Sequence, residues 1–136
     1  MARLPKRQYI NPKSIVAPPG NFSWVAQADK TLYLAGQVGI DKDGKTVDPK
    51  DAGAQVKQAL YNIDATLREL GGTLDNIVRT TTYVVGKENL DSARAGRKAV
   101  VDEGLMTIRP ANTLVVIAGL ADDDWLVEIE TIAVLD

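Results

Sequence analysis

Glu128 and Glu130 interrupt an otherwise apolar run, residues 125–134. At i and i+2 they share one face if that run is a strand. The pair has two readings. It marks the solvent face of an edge strand, or a carboxylate lines a cleft where burial raises its pKa and suits it to proton transfer. Arg94, Arg97 and Lys98 form a second cluster of charge; on spacing alone they are the solvated face of a helix. Arg109-Pro110 precedes a strand and reads as a turn. Gly36-Gln37-Val38-Gly39 follows a strand, but it lacks both the GxGxxG pattern and a following helix, so a dinucleotide site is unsupported.

The 136 residues include no cysteine and no histidine. Disulfide frameworks, thiol nucleophiles, Ser-His-Asp triads and zinc sites each need one or the other. Chemistry here falls to carboxylates, Arg, Lys, Tyr, hydroxyls or the backbone, and no metal or cofactor is expected. A formal net charge of −2 offers no electrostatic case for nucleic acid. Arg3, Lys6, Arg7 and Lys13 read as a short solvated arm. No apolar run approaches the roughly 18 residues of a membrane span, and the first residues open no signal-peptide core. A cytoplasmic protein without cysteine is the expectation.

The positioning elements follow from pattern. Residues 1–16 are expected as an extended arm, with a strand near 7–10, in a single domain that spans 1–136. Residues 21–27 and 31–37 read as a hairpin turning at Asp29-Lys30. A polar loop runs over 38–49 with Asp43-Gly44 as its tight turn. Val56, Leu60, Ile63, Leu67 and Leu70 make one apolar stripe, which predicts a helix over 51–70 that ends at Gly71-Gly72. The β-branched stretch 76–85 predicts a strand. A second helix is expected over 90–103, weakened by Gly96, and strands over 113–118 and 125–134. Strand, strand, helix, strand, helix, strand, strand is an α+β order: a mixed sheet with two helices packed on one face. Segments 32–35 and 114–118 look apolar on both faces, so a monomer would expose an apolar patch. Self-association is the simplest way to bury it.

Gly36-Gln37 after a strand, the helix ending Gly71-Gly72, Leu74-Asp75-Asn76-Ile77-Val78, Ala118-Gly119-Leu120 and the closing 126–134 segment together resemble the RidA/YjgF family, also called L-PSP endoribonuclease-like. The resemblance covers about residues 17–134. It implies a chorismate-mutase-like α+β fold, a homotrimer with its sheets facing inward, and clefts between subunits. It also implies hydrolysis of reactive enamines and imines derived from amino acids, such as 2-aminoacrylate, with release of ammonia.

Within that resemblance the family's cleft glutamate matches Glu128, and its cleft glycine matches Gly36. The Gly-Pro-Tyr-Ser-Gln segment falls on residues 20–24, where Phe22 replaces the tyrosine and lacks its hydroxyl. The arginine that would hold a substrate carboxylate becomes Asn112, in Pro110-Ala111-Asn112-Thr113. Guanidinium binds a carboxylate through a bidentate, charged pair, whereas Asn offers only neutral donors. A cleft asparagine of active relatives aligns with Arg94. The missing charge is therefore relocated to Arg94 or Arg109, or the pocket is retuned to a less acidic ligand, or the site is degenerate. Arg94 and Glu128 are expected to share one cleft.

A divergent imine or enamine hydrolase, not a typical 2-aminoacrylate deaminase, is the first functional expectation. A small-molecule-binding or protein-interaction module of the same fold is the alternative. An endoribonuclease is disfavoured by the acidic balance and the absence of histidine.

Overall fold

The computed structural model describes residues 2–3 and 6–136. Pro5, which helps punctuate the expected arm, lies outside them with Met1 and Leu4. The six strands are β1 (Arg7–Ile10), β2 (Val25–Ala28), β3 (Thr31–Val38), β4 (Ile77–Val85), β5 (Ala111–Ile117) and β6 (Val127–Val134). They form one mixed sheet in the order β1-β2-β3-β6-β4-β5. Only β4 and β5 run parallel, and α2 (Leu90–Asp102) makes the crossover between them. Helix α1 (Ala52–Glu69) joins β3 to β4 and packs on β3, β6 and α2. The expected α+β class and helix-covered sheet are what the chain forms. No helix among the described residues is long and apolar enough to cross a membrane.

Helix α1 begins where Asp51 accepts the Ala54 N–H at 3.0 Å, satisfying one of the free donors at the helix start. Val56, Leu60, Ile63 and Leu67 then point into the core, none more than 2% exposed. The helix stops because Gly71 takes φ +93°, a conformation costly for any residue with a Cβ. Opposite α1, the sheet presents Leu32 and Leu34 of β3 and Val127, Ile129 and Ala133 of β6, all buried.

Four expectations change. Strand β2 starts at Val25 rather than at residue 21, because Asn11 Oδ1 takes the Trp24 N–H at 2.9 Å and ends the ladder with β1. The arm is not simply solvated. Lys13 and Ser14 donate their N–H groups to the Glu69 carboxylate at 3.1 and 3.0 Å, and Ile15 is buried in the core. Strand β5 starts two residues early, since Ala111 and Asn112 already pair with Arg79 and Thr80. Strand β6 starts two residues late, because the fully buried Gln55 of α1 takes the Leu126 N–H at 2.8 Å.

Only one face of the sheet carries helices. The other exposes Tyr33 of β3 by half, Val134 of β6, and the polar pair Tyr83 and Glu130. Strand β5 is also an open edge with Val116 exposed. The helix-free face thus exposes apolar side chains, as the sequence pattern anticipates, but it is mixed, with Arg79, Thr81 and Glu130 beside Tyr33 and Ile132.

Candidate functional site

Strand β6 lies between β3 and β4, so Glu128 and Glu130 do not sit on an edge strand. They alternate with the buried Val127, Ile129 and Thr131, which puts both carboxylates on the helix-free face. A bulge makes room for one of them. Leu34 pairs with Thr131 and Gln37 with Ile129, so β3 carries one extra residue across from Glu130. Gly36 occupies that irregularity, and the Glu128 side chain lies against it. A Cβ on Gly36 would come within 2.7 Å of both Cγ and Cδ of Glu128. The glycine is thus a seat for the carboxylate, for steric reasons alone.

Glu128 lines a cleft of about 370 Å³ whose other walls include Phe22, Trp24, Val38 and Trp125. Phe22 is half exposed and meets the Trp24 ring edge-on at 5.4 Å. Trp24 is itself held by its indole N–H, which donates to Val16 O at 2.6 Å. Trp125 hangs on the Gln55 contacts: Nε2 donates to Asp124 O at 2.9 Å, and Oε1 accepts from Leu126 N. Burial pushes the Glu128 carboxyl above the usual carboxylate range, and the Glu130 charge beside it adds to the rise. Glu130 instead accepts a hydrogen bond from Tyr83 Oη at 3.1 Å. The Glu128 side chain forms neither hydrogen bond nor ion pair among the described residues, so its carboxylate faces the cleft without a protein partner.

Asn112 lies on the opposite face of the sheet, beneath α2, and Arg94 is carried by α2 above it. There they line a hollow of about 120 Å³ together with Thr82, Leu114 and Arg97. The Asn112 Oδ1 accepts from Thr80 Oγ1 at 2.8 Å and from Thr82 Oγ1 at 3.1 Å. That leaves its amide N–H groups as the donors available to a ligand. Arg94 is exposed and sits 3.8 Å from Asp91 of its own helix. Arg109 is exposed and lines an adjoining hollow with Arg97, Thr107 and Pro110, without Asn112.

The structure therefore brings Glu128, Gly36 and Phe22 together, and separately Asn112 and Arg94. Arg94 and Glu128 do not share a cleft within one chain; the sheet stands between them. Arg97 escaped the sequence reading as a site residue. Burial draws its guanidinium below its ordinary pKa, and it lines both hollows. The signal was present: Arg97 falls on the stripe of Ala93 and Val100, both buried. Among the described residues no group of three or more His, Cys, Asp or Glu gathers to hold a metal ion.

Known proteins share this fold. Residues 13–135 match the family described as Endoribonuclease L-PSP. The chain is 30% identical to the 2-iminobutanoate/2-iminopropanoate deaminase of Mus musculus, over 94% of its own length and 91% of the relative's. It is 32% identical to a RutC family protein of Synechocystis, over 88% of this chain and 89% of that one. The crystal structure of the YjgF gene product from E. coli superposes with a TM-score of 0.84 at 28% identity, covering 95% of this chain and 99% of that one. The family match over nearly the whole sequence, together with the relatives and the shared fold, places this chain in the RidA/YjgF family.

Proposed function

We propose that the chain binds a small metabolite in clefts between the subunits of a homotrimer and hydrolyses an imine, enamine or related electrophile there. The observation that carries this reading is the Glu128 carboxyl, half buried over Gly36 in an aromatic-walled cleft and raised in pKa. A carboxyl whose pKa is raised in this way holds a proton more readily than a solvated one, which suits it to take and return a proton. Water adds to the C=N carbon while Glu128 accepts its proton. The same proton then passes to nitrogen, which completes the carbinolamine; Glu128 next takes the hydroxyl proton and gives it to the amino nitrogen as the C–N bond breaks, so that ammonia leaves a carbonyl product. The activity named for the mouse relative is of this class.

Asn112 sets this chain apart from a typical 2-aminoacrylate deaminase. Hydrogen bonds to charged groups contribute about 1.5–3 kcal/mol, so losing the arginine weakens the ordinary substrate by roughly 10–100-fold. Ammonia release from freshly generated 2-aminoacrylate should fall by that factor in kcat/KM beside an arginine-bearing relative. Comparable rates would remove Asn112 as a handicap. Asn112→Arg should recover part of the deficit. A non-catalytic binding role is the second reading, and Asn112 favours it; the unpartnered Glu128 favours the enzyme.

The helix-free sheet face and the open β5 edge support the trimer, as does the division of candidate residues between two faces that only different subunits could bring together. Sedimentation at micromolar concentration should give three times the 14.7 kDa chain mass. A monomer would overturn both the shared cleft and the burial argument behind it.

A further inference from the structure

We propose that Arg97, rather than Arg94 or Arg109, is the cation that receives a ligand's carboxylate in this protein. The inference rests on the proposed small-metabolite cleft and names the acid end of its ligand. Other cations near by are engaged or solvated. Lys98 pairs with Asp102 at 2.6 Å, Arg79 donates to Thr113 at 2.7 Å, and Arg94 is exposed beside Asp91. Arg97 alone of the α2 cations is drawn out of solvent, and among the described residues its guanidinium has no hydrogen bond and no ion pair. A half-buried guanidinium without a partner is costly unless something anionic completes it.

The surroundings select an anion. Arg97 and Arg94 both line the hollow, Arg109 stands in the next one, and no carboxylate lines either. Asn112 is turned by Thr80 and Thr82 so that its N–H groups remain free. A planar guanidinium and an amide NH2 converging on one hollow offer several donors to a carboxylate. The remaining walls, Val56, Leu114 and Ile129, are apolar and strengthen each polar contact by excluding water. At about 120 Å³ the hollow admits a carboxylate and a few carbons, not a whole larger ligand. The charge that the family pattern would place on β5 is thus supplied from α2. Binding of small acids persists, while the C=N carbon of 2-aminoacrylate is offset from its usual place. An offset of about 1 Å is enough for a 10²-fold loss of rate, so on this assignment the weak deaminase activity expected above comes from a misplaced C=N carbon rather than from an absent charge.

The test uses the full chain, pyruvate as the anionic probe and pyruvamide as its neutral twin, with binding measured by calorimetry or ligand-observed NMR. Wild type should bind pyruvate at least about 10-fold more tightly than pyruvamide, the lower end of the contribution of a charged hydrogen bond. Arg97→Gln should weaken pyruvate roughly 10–100-fold and leave pyruvamide within about two-fold. Arg97→Lys, which keeps the charge but not the fork, should lie between the two; it also serves if Arg97→Gln does not assemble. Arg94→Ala and Arg109→Ala should each cost less than Arg97→Gln. Wild-type pyruvate affinity in Arg97→Gln, equal losses for both probes, or a larger loss from Arg94→Ala or Arg109→Ala would overturn the assignment. If wild type binds pyruvamide as tightly as pyruvate, this inference fails and the metabolite cleft stands. If wild type binds neither, both fail together.

Discussion

Gly96→Val should destabilise the protein by roughly 3 kcal/mol or more, because the added side chain has nowhere to go but into backbone. Gly96 lies where α2 crosses α1, and a Cβ there would stand 2.8 Å from the Cα of Gly53 and against its carbonyl oxygen. Gly53 is equally constrained from the other side, since its own Cβ would meet Ser92 O at 2.6 Å. Its N–H donates to Ser92 Oγ at 2.9 Å, which pins the crossing further. Neither helix can relax by moving one side chain; the whole interface must open. Native proteins have only about 5–15 kcal/mol in hand, so the loss is a large share. Gly119→Ala is the matched control, as its Cβ would meet nothing within 4 Å, and it should change stability by less than about 0.5 kcal/mol. Urea unfolding at fixed protein concentration, needed because assembly adds to apparent stability, measures both. If Gly96→Val unfolds at the wild-type midpoint, the close crossing is not what holds α2 in place. The same shift would displace Ala93 and Arg97, so a partly folded Gly96→Ala variant should also lose affinity for pyruvate.

Gly96 also illustrates what the sequence could and could not tell. From propensity alone it argues against a helix, yet α2 runs through it, because close helix packing outweighs the roughly 1 kcal/mol intrinsic penalty. Helix α1 and strand β4 were legible because their periods are long and unbroken. The starts of β2 and β6 were not, since Asn11 and Gln55 set them through hydrogen bonds from 13 and 71 residues away. Glu128 stood out as a charge in an apolar strand, but its role depended on which strands flank β6. No local pattern reveals that β6, the last in sequence, enters the sheet between β3 and β4. Gly36, Phe22 and Asn112 came from the family resemblance; the bulge that explains Gly36 is a tertiary feature. Arg97 was hidden for a different reason. A solvated helix face is the ordinary explanation for Arg-x-x-Arg-Lys, and only the burial of Ala93 and Val100 on the same stripe argues otherwise.

Gly36→Ala should abolish turnover to the same extent as Glu128→Gln, although residue 36 itself has no functional group. Removing a general acid–base costs about 10²–10⁴-fold in rate, and displacing it should cost as much. The new methyl group would occupy the space of the Glu128 Cγ, Cδ and carboxylate. A glutamate end is mobile, so it yields by swinging away from the cleft wall, at about 0.5–1.5 kcal/mol for an off-rotamer side chain. Activity should therefore collapse while the fold survives. The two changes act on one group, so the double variant should be no slower than either single one. Stability against pH gives an independent readout. The folded protein raises the Glu128 pKa by burial, with Glu130 adding to it, so ionising Glu128 opposes folding. That penalty is absent below the unfolded carboxylate pKa, near 4.3, and is fully present above the folded value. Glu128→Gln should thus stabilise the protein at neutral pH, with the gain vanishing as pH falls through that window. Gly36→Ala, by moving the carboxylate into water, should remove much of the same pH dependence. Wild-type turnover in Gly36→Ala, or a double variant slower than both singles by a further large factor, would show that Glu128 does not work from its seat over Gly36.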